Sequence, residues 1–273
     1  MRIASGLSAT LLCIASFAQP QALAADTTLS ATASQDTSIY FGTAGSSGRS
    51  DGSGDYLWLA VTAEGLGRRA LLKFDLSSIP PAAVIRQVTL TLYESRARDE
   101  HDVTVHRLLA SWGEGASNAG GSGTGVQALA GDATWLHRFF PATFWANPGG
   151  DHDPLASAVQ RVGLPNTTYS WAATRPAQGQ PVPGLVRDVQ AWVDTPSLNH
   201  GWMLIGNEAV EQNAKRFESR NNAVAVNRPR LTVVYGPPVV VVADDGDVPL
   251  PWWALGLLAA LLARTAMSRP DHA

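Results

Sequence analysis

The sequence has little cysteine, few charged side chains and none of the common catalytic motifs. Cys13 is the one cysteine among 273 residues, which excludes an intrachain disulfide and a cysteine-ligated metal cluster. Charged residues make up 16% of the chain and the formal net charge is -3, so the basic surplus typical of nucleic-acid-binding proteins is missing. No G-x-S-x-G, H-E-x-x-H or P-loop sequence occurs. We therefore expect no enzymatic activity and no nucleic-acid partner.

Glycine and proline are frequent instead, and the segments between them alternate in polarity. The chain has 25 glycines and 17 prolines, which suits a protein with many turns. Val88, Leu90 and Leu92 share one face of residues 88–93, the period of a half-buried strand. Strand character also marks residues 37–40, 56–61, 70–75, 103–108, 202–206 and 230–235, whereas helical spacing is limited to 155–162 and 185–193. The pattern predicts an all-β, antiparallel β-sandwich with one or two short helices.

The first 24 residues read as a secretory signal peptide. Arg2 supplies a positive charge, residues 7–18 form a short apolar run, and Ala22-Leu23-Ala24 has the small residues of a cleavage site. The run is too short to span a bilayer. We expect the protein to be secreted and the sandwich domain to occupy residues 25–236.

The C-terminus has the composition of a membrane segment. A proline-rich and acidic linker, residues 237–247, leads to Trp252 and Trp253, an apolar run, and then Arg264 and Arg269. Aromatic residues mark membrane interfaces and arginines stay on the cytoplasmic side. The layout of residues 248–273 resembles bacterial C-terminal sorting tails of the PEP-CTERM kind. That resemblance implies recognition by a sorting machinery and display at the cell surface; the alternative is a simple membrane anchor.

A second resemblance concerns the domain itself. Five landmarks occur in the order seen in secreted β-sandwich modules called DNRLRE domains: Asp36-Thr37, Leu72-Lys73-Phe74-Asp75-Leu76, Ser111-Trp112 with Thr134-Trp135, Val189 to Trp192, and Phe217-Glu218-Ser219-Arg220 before Arg228-Pro229-Arg230-Leu231. The chain resembles that family over most of residues 25–236. The resemblance implies a jelly-roll-like fold on bacterial surface proteins. It also implies a carbohydrate-binding role, since some members are polysaccharide-binding modules, including binders of alginate.

Tryptophans and arginines are the candidate ligand-binding residues. Trp192 and Trp202 lie in apolar patterns and are expected in the core, whereas Trp145 and Trp171 have polar or small neighbours and are the candidates for an exposed sugar-stacking surface. The alternative is that a tryptophan-rich sandwich buries them all. Arginine suits the carboxylates of acidic sugars, and the arginines that border the glycine-rich loops are Arg49, Arg68 and Arg69.

A run of alternating oxygen side chains and glycines is the candidate metal site. Asp51, Ser53 and Asp55 offer the hard oxygen ligands that calcium prefers. The twelve-residue calcium loop of EF-hands is absent, and a plain loop is the favoured reading. No cofactor is required by any other pattern in the chain, so a structural calcium ion is the one cofactor considered.

Three functions remain open at the level of sequence. The favoured one is a non-catalytic, surface-displayed module that binds extracellular polysaccharide, which is acidic if the arginines contact it. The second is a structural adhesion, matrix or stalk domain with no small ligand. The third, a polysaccharide-degrading enzyme, is the least supported, because no converging set of acid and base residues is visible.

Overall fold

The computed structural model describes residues 25–42 and 46–237. The predicted signal peptide and the predicted tail, together with all of the linker except Pro237, lie outside these residues. The described part contains one α-helix, α1 (Gly184–Asp194), and fourteen strands. The strands are β1 (Thr27–Phe41), β2 (Arg49–Ser50), β3 (Tyr56–Val61), β4 (Gly67–Phe74), β5 (Val84–Arg96), β6 (His101–Arg107), β7 (Val126–Gln127), β8 (His137–Phe139), β9 (Thr143–Phe144), β10 (Ala158–Val162), β11 (Thr167–Thr174), β12 (Trp202–Ile205), β13 (Lys215–Glu218) and β14 (Arg230–Gly236).

Twelve of the strands form two antiparallel sheets packed against each other, and β8 and β9 form a separate two-stranded sheet. In the first sheet β5 is central, with β11 along one edge and β14 and β13 along the other. In the second sheet the order runs β10, β6, β12, β4 and then β1, continued by β2 and β7. All these pairings are antiparallel, as a sandwich requires. The predicted all-β sandwich is therefore confirmed.

Two strands belong to both sheets and give the sandwich a barrel-like closure. The first part of β1 pairs with β14, and the rest pairs with β4 after a register shift between Ala33 and Gln35. β3 pairs with β13 and then with β4, and Ala60 has a positive φ of 67° where it changes sheets. Because positive φ is uncommon for residues other than glycine, Ala60 marks a tight corner. This corner lies beside the candidate site.

The main core lies between the two sheets and explains the alternation in the sequence. Val88, Leu90 and Leu92 of β5 are all buried, as predicted, and they belong to the same cluster as Leu72 of β4. A second cluster contains Leu71, whose side chain points to the opposite face of β4 from that of Leu72. The residues that cover this outer face come from the long connection after β6, so the second sheet is buried on both sides.

The two predicted helices have different outcomes. Residues 185–193 fall in α1, and the apolar residues expected on one face are all buried against the sandwich. Residues 155–162 are not helical, since β10 pairs with the free edge of β6 along its whole length. Pairing with an existing strand outweighs the weak helical spacing of a short segment. Within residues 25–42 and 46–237, no helix is both long enough and apolar enough to cross a membrane.

Candidate functional site

A polar cleft of about 360 Å³ lies at the end of the sandwich where β3 changes sheets. It is bounded by the β3–β4 hairpin, the end of β5, the segment before β13, and a glycine- and serine-rich segment that we call the insert loop, residues 113–132. Its lining residues are Trp58, Thr62, Ala63, Glu64, Arg68, Arg96, Ala97, Arg98, Gly123, Thr124, Gln212 and Ala214. Three arginines and a tryptophan thus meet in one concave site.

Arg68 lies at the inner end of this cleft. The residue is only 2% exposed, and its Nε and Nη1 atoms have no hydrogen-bond partner among the described residues. No carboxylate of the described residues lies within 4.0 Å of the Arg68 guanidinium to form an ion pair. The charge of Glu64 is farther away and raises the pKa of Arg68 only in part. Burial lowers the pKa of Arg68 to about 10. The guanidinium is therefore a buried cation with little compensation, which is unusual in a folded domain.

Trp58 forms the aromatic wall of the cleft. It is 5% exposed, and its Nε1 atom has no hydrogen-bond partner among the described residues. The Cζ atoms of Arg68 and Arg216 lie 5.5 Å and 5.8 Å from a ring centroid of Trp58, within the range of cation–π attraction. Gly123 of the insert loop lies directly against the ring: a Cβ atom there would be 3.2 Å from three ring atoms. The insert loop therefore covers Trp58.

The mouth of the cleft is polar and exposed. Arg96 and Arg98 are both exposed, and Arg98 hydrogen-bonds the side-chain oxygen of Gln212 and lies 3.7 Å from Asp99. Glu64 is the one carboxylate among the lining residues. The site is thus locally positive, although the whole chain carries a net charge of -3.

Several polar contacts hold the insert loop in place. The Nη1 atom of Arg49 donates to the carbonyl oxygens of Thr124 at 3.3 Å and Gly125 at 3.0 Å. The Oδ1 atom of Asp51 accepts from the amide of Ala119 at 2.7 Å. Since Thr124 lines the cleft, Arg49 and Asp51 shape the site through the loop.

A second anchor ties the start of the insert loop to β1 and to the end of β13. The Oε1 atom of Glu114 accepts from the amide of Asp36 at 2.8 Å, and its two oxygens accept from Nε and Nη2 of Arg220 at 2.5 Å and 2.6 Å. Paired donors of this kind give strong, directional hydrogen bonds. The carboxylate of Asp36 in turn accepts from the amide of Arg220 at 2.7 Å, so the landmarks Asp36 and Arg220 meet here.

The predicted exposure of Trp145 and Trp171 is wrong. Trp145 is 5% exposed in the second cluster, where its Nε1 atom donates to the carbonyl of Thr134 at 2.9 Å. Trp171 is 1% exposed in the main core and donates to the carbonyl of Val103 at 3.0 Å. Trp171 is in β11, so its small and polar sequence neighbours point away from the core, because adjacent strand residues face opposite sides. Trp145 directly follows β9 and is buried by tertiary packing in the second cluster. Neither ring face is available for stacking on a sugar.

The three predicted arginines have different positions. Arg68 lies in the cleft, and Arg49 lies behind the insert loop. Arg69 is on the opposite face of β4, where its Nε and Nη2 atoms donate to Glu208 at 2.7 Å and 2.8 Å. Its guanidinium also lies 4.6 Å from the ring centroid of Trp135. Arg69 is therefore fully engaged inside the protein, and only Arg68 remains a candidate for direct ligand contact.

Two of the three residues predicted from their spacing as calcium ligands, Asp51 and Ser53, contact the insert loop. Asp51 is buried against Ala119, and Ser53 donates to the carbonyl oxygens of Ala116 and Ser117, whereas Asp55 is exposed. In the described part of the chain, no group of three or more His, Cys, Asp or Glu side chains is placed to hold a metal ion. The Oδ1 atom of Asp51 and the hydroxyl of Ser53 anchor the loop, whereas the Oδ2 atom of Asp51 has no hydrogen-bond partner among the described residues. The calcium site stays a prediction.

A second groove, of about 630 Å³, lies between the end of β4 and α1. Its floor consists of buried apolar side chains, among them Phe74, Ile79 and Trp192, and its charged residues are Lys73 and Asp75 at the rim. It is larger than the first cleft, but it contains no buried, unpaired charge. We therefore place the candidate site in the polar cleft.

Comparison with known proteins gives no indication of function, so the proposal below rests mainly on the chemistry of the cleft. No protein-family model matches the chain, and no curated protein matches it. The two resemblances noted from sequence landmarks accordingly stay predictions. Trp58, Arg96 and Arg98 were missed as site residues because they are 38 to 40 positions apart in sequence and meet only through strand pairing. The one available signal was that Trp58 and Arg68 flank the same predicted hairpin.

Proposed function

We propose that this protein is a non-catalytic module that binds extracellular polysaccharide in the cleft around Trp58 and Arg68. The observation that carries the proposal is the meeting of three arginines and a tryptophan in one cleft of about 360 Å³. This volume is within the roughly 300–1,000 Å³ of small-ligand sites. A polymer chain that presents one or two residues to the cleft would fit such a site.

The lining side chains have the hydrogen-bonding capacity that sugars require. Arg96, Arg98 and Gln212 at the mouth offer donors, while Glu64 and Thr124 offer acceptors. Sugar hydroxyl groups both donate and accept, so mixed polar lining favours a carbohydrate over a purely apolar ligand. The arginines add attraction for acidic sugars.

Binding is favoured over hydrolysis because the cleft has a single lining carboxylate. Glycosidases use two carboxyl groups about 5–9.5 Å apart, and Glu64 has no such partner among the residues that line the cleft. A lyase would need a base and an acid near the sugar ring, and no histidine or tyrosine lines the described cleft.

The proposal includes display outside the cell. The signal-peptide pattern of residues 1–24 and the tail pattern of residues 248–273 support secretion followed by attachment at the membrane, and the similarity to DNRLRE domains supports a surface role. We propose that the tail either stays in the membrane as an anchor or is processed by a sorting machinery that recognises it.

A binding screen of the purified full-length protein on a polysaccharide array tests this function. We expect saturable binding to at least one extracellular polysaccharide, and an Arg96→Gln/Arg98→Gln double variant should weaken it at least several-fold. The matched control is Arg161→Gln, which removes an exposed arginine that pairs with Glu100 and Asp102 on β6 and the turn before it. A blank array with folded protein would refute the proposal and favour a structural adhesion or matrix domain.

A further inference from the structure

We propose that the inner end of the cleft is an oxyanion site, in which two lining residues, Arg68 and Trp58, bind a carboxylate or sulfate ester group with help from Tyr40, which lies behind the lining and opposite Arg68 on the neighbouring strand. For a polysaccharide ligand the inference rests on the proposed function. The anion site itself does not, because small anions would occupy it as well. The proposal assigns a chemical class, an acidic group, to the deepest part of the cleft.

The first support is the charge of Arg68. A buried guanidinium normally pairs with a carboxylate or gives its N–H groups to carbonyl oxygens. Arg68 is 2% exposed and has neither kind of partner for Nε and Nη1 within the described residues. The nearby tryptophan ring offers weak compensation at 5.5 Å, but it gives Nε and Nη1 no hydrogen bond. An anion at these two atoms would complete the site.

The second support is that two neighbouring unpaired groups, on Tyr40 and Trp58, are also donors, although the buried carboxylate of Asp51 lies near Tyr40 as well. Tyr40 is directly opposite Arg68 in the pairing of β1 with β4, so the two side chains lie on the same face of the sheet. The Tyr40 hydroxyl and the Trp58 Nε1 atom are both buried without a hydrogen-bond partner among the described residues. Burial raises the pKa of Tyr40, and its hydroxyl therefore keeps the proton that it would donate.

These groups select against other ligand classes. A metal ion needs several acceptors, and the groups around Arg68 are a guanidinium, an indole N–H and a phenol, with Asp51 as a single carboxylate near Tyr40. A neutral hydroxyl would satisfy one donor but would leave the charge of Arg68 uncompensated. A compact oxyanion accepts several hydrogen bonds and supplies the missing negative charge. Carboxylates and sulfate esters share this chemistry, and both occur on extracellular polysaccharides.

The decisive experiment compares wild type with Arg68→Met on three polymers: polygalacturonate, dextran sulfate and unmodified dextran. We expect at least tenfold weaker binding of one or both charged polymers to Arg68→Met, since the variant removes a charge-assisted hydrogen bond. The polymer that loses affinity identifies the carboxylate or the sulfate as the source. Tyr40→Phe, which deletes one hydroxyl, should lose about threefold to tenfold by the same reasoning. Arg161→Met serves as the control that removes an equal charge elsewhere.

Unchanged binding of both charged polymers to Arg68→Met, or equal binding of dextran by wild type, would overturn the anion site. If wild type binds none of the three polymers, thermal shifts with acetate and sulfate at constant ionic strength decide the site, and the proposed function fails only if the polysaccharide array is also blank. Sulfate stabilises proteins generally, so the relevant quantity is the shift of wild type minus that of Arg68→Met. A larger shift in wild type and in Arg161→Met supports the site, and equal shifts in all three proteins reject it.

Discussion

Buried ionisable side chains are concentrated near the cleft end of the sandwich. Glu94 on β5 is fully buried, and neither of its carboxylate oxygens has a hydrogen-bond partner among the described residues. Lys215 on β13 is also fully buried, and its Nζ atom donates to the carbonyl of Asp99 at 2.6 Å. Burial raises the pKa of Glu94 to about 7, an effect that the nearby Lys215 partly opposes. Stability should therefore depend on the protonation of this residue.

Glu94 should make the protein less stable as the pH rises. Its pKa in the folded protein is above the ordinary value of 4.5, so its stabilising contribution is fully present below about pH 4.5 and is lost as the pH rises through about 7. The loss is roughly 3 kcal/mol by the conversion of pKa shifts to free energy. Glu94→Gln should reduce the fall in unfolding free energy between pH 5 and pH 8, measured by denaturant titration.

The control for this measurement is Glu211→Gln, at an exposed position, which should leave the pH dependence as in wild type. Asp36 is also buried with a pKa raised to about 7 by its burial, so some decline with pH should persist in Glu94→Gln. The same slope in wild type and in Glu94→Gln would contradict the account of Glu94 as a buried acid whose pKa is raised by its burial.

At the scale of elements, the insert loop forms one wall of the cleft at the end of the sandwich. Its composition alone indicates a flexible connection, yet Ser117, Ala128 and Asp132 are buried and β7 pairs with β2. The insert loop is held in one conformation by side chains elsewhere in the sequence, namely Arg49, Asp51 and Arg220. Because Gly123 and Thr124 line the cleft, loosening the loop should alter the binding site while the sandwich stays folded.

Glu114→Gln tests the anchor of the insert loop. The amide would remove a charge that accepts from Arg220 and from the Asp36 amide, and Glu114 is also the main cause of the raised pKa of Arg220. We expect roughly tenfold faster proteolysis within residues 113–132, since hydrogen bonds to charged groups contribute about 1.5–3 kcal/mol. Cleavage sites mapped by mass spectrometry should fall in the loop.

The matched control is Glu100→Gln, which removes a carboxylate from an exposed pair with Arg161. Exposed pairs contribute little, so proteolysis of that variant should match wild type. If Glu114→Gln is cleaved no faster than Glu100→Gln, the loop is held mainly by its other contacts, and the role given to Glu114 is wrong.

At the scale of the whole molecule, the sequence predicts the sheets well and the site poorly. The alternation of apolar and polar residues in β5 predicts which of its faces is buried, and the apolar residues on one side of residues 185–193 predict α1. The crossing of β1 and β3 between sheets has no local signal, since it depends on partners far along the chain. Trp58 and the end of β5 line one cleft because Trp58 and Arg96 both pair with Arg216 of β13, which is likewise far from them in sequence.

The errors in the predicted site have the same origin. The sequence neighbours of Trp145 and Trp171 predict exposed rings, but the burial of each ring depends on the cluster in which it packs. Arg69 differs from Arg68 by one position on β4, and that single step moves its side chain to the opposite face. Sequence reasoning thus identifies the residue types that form the site, whereas the face and the partners follow from the pairing of distant strands.

The most direct test is hydrogen exchange of the full-length protein with and without the polysaccharide that it binds most tightly. We expect slower exchange on binding in peptides that contain residues 58–68, 96–98 and 123–124, the segments that line the cleft. Peptides from the second groove, including residues 73–81 and 192–199, should exchange as in the free protein. Protection confined to the second groove, or to any surface away from Trp58 and Arg68, would contradict the central claim.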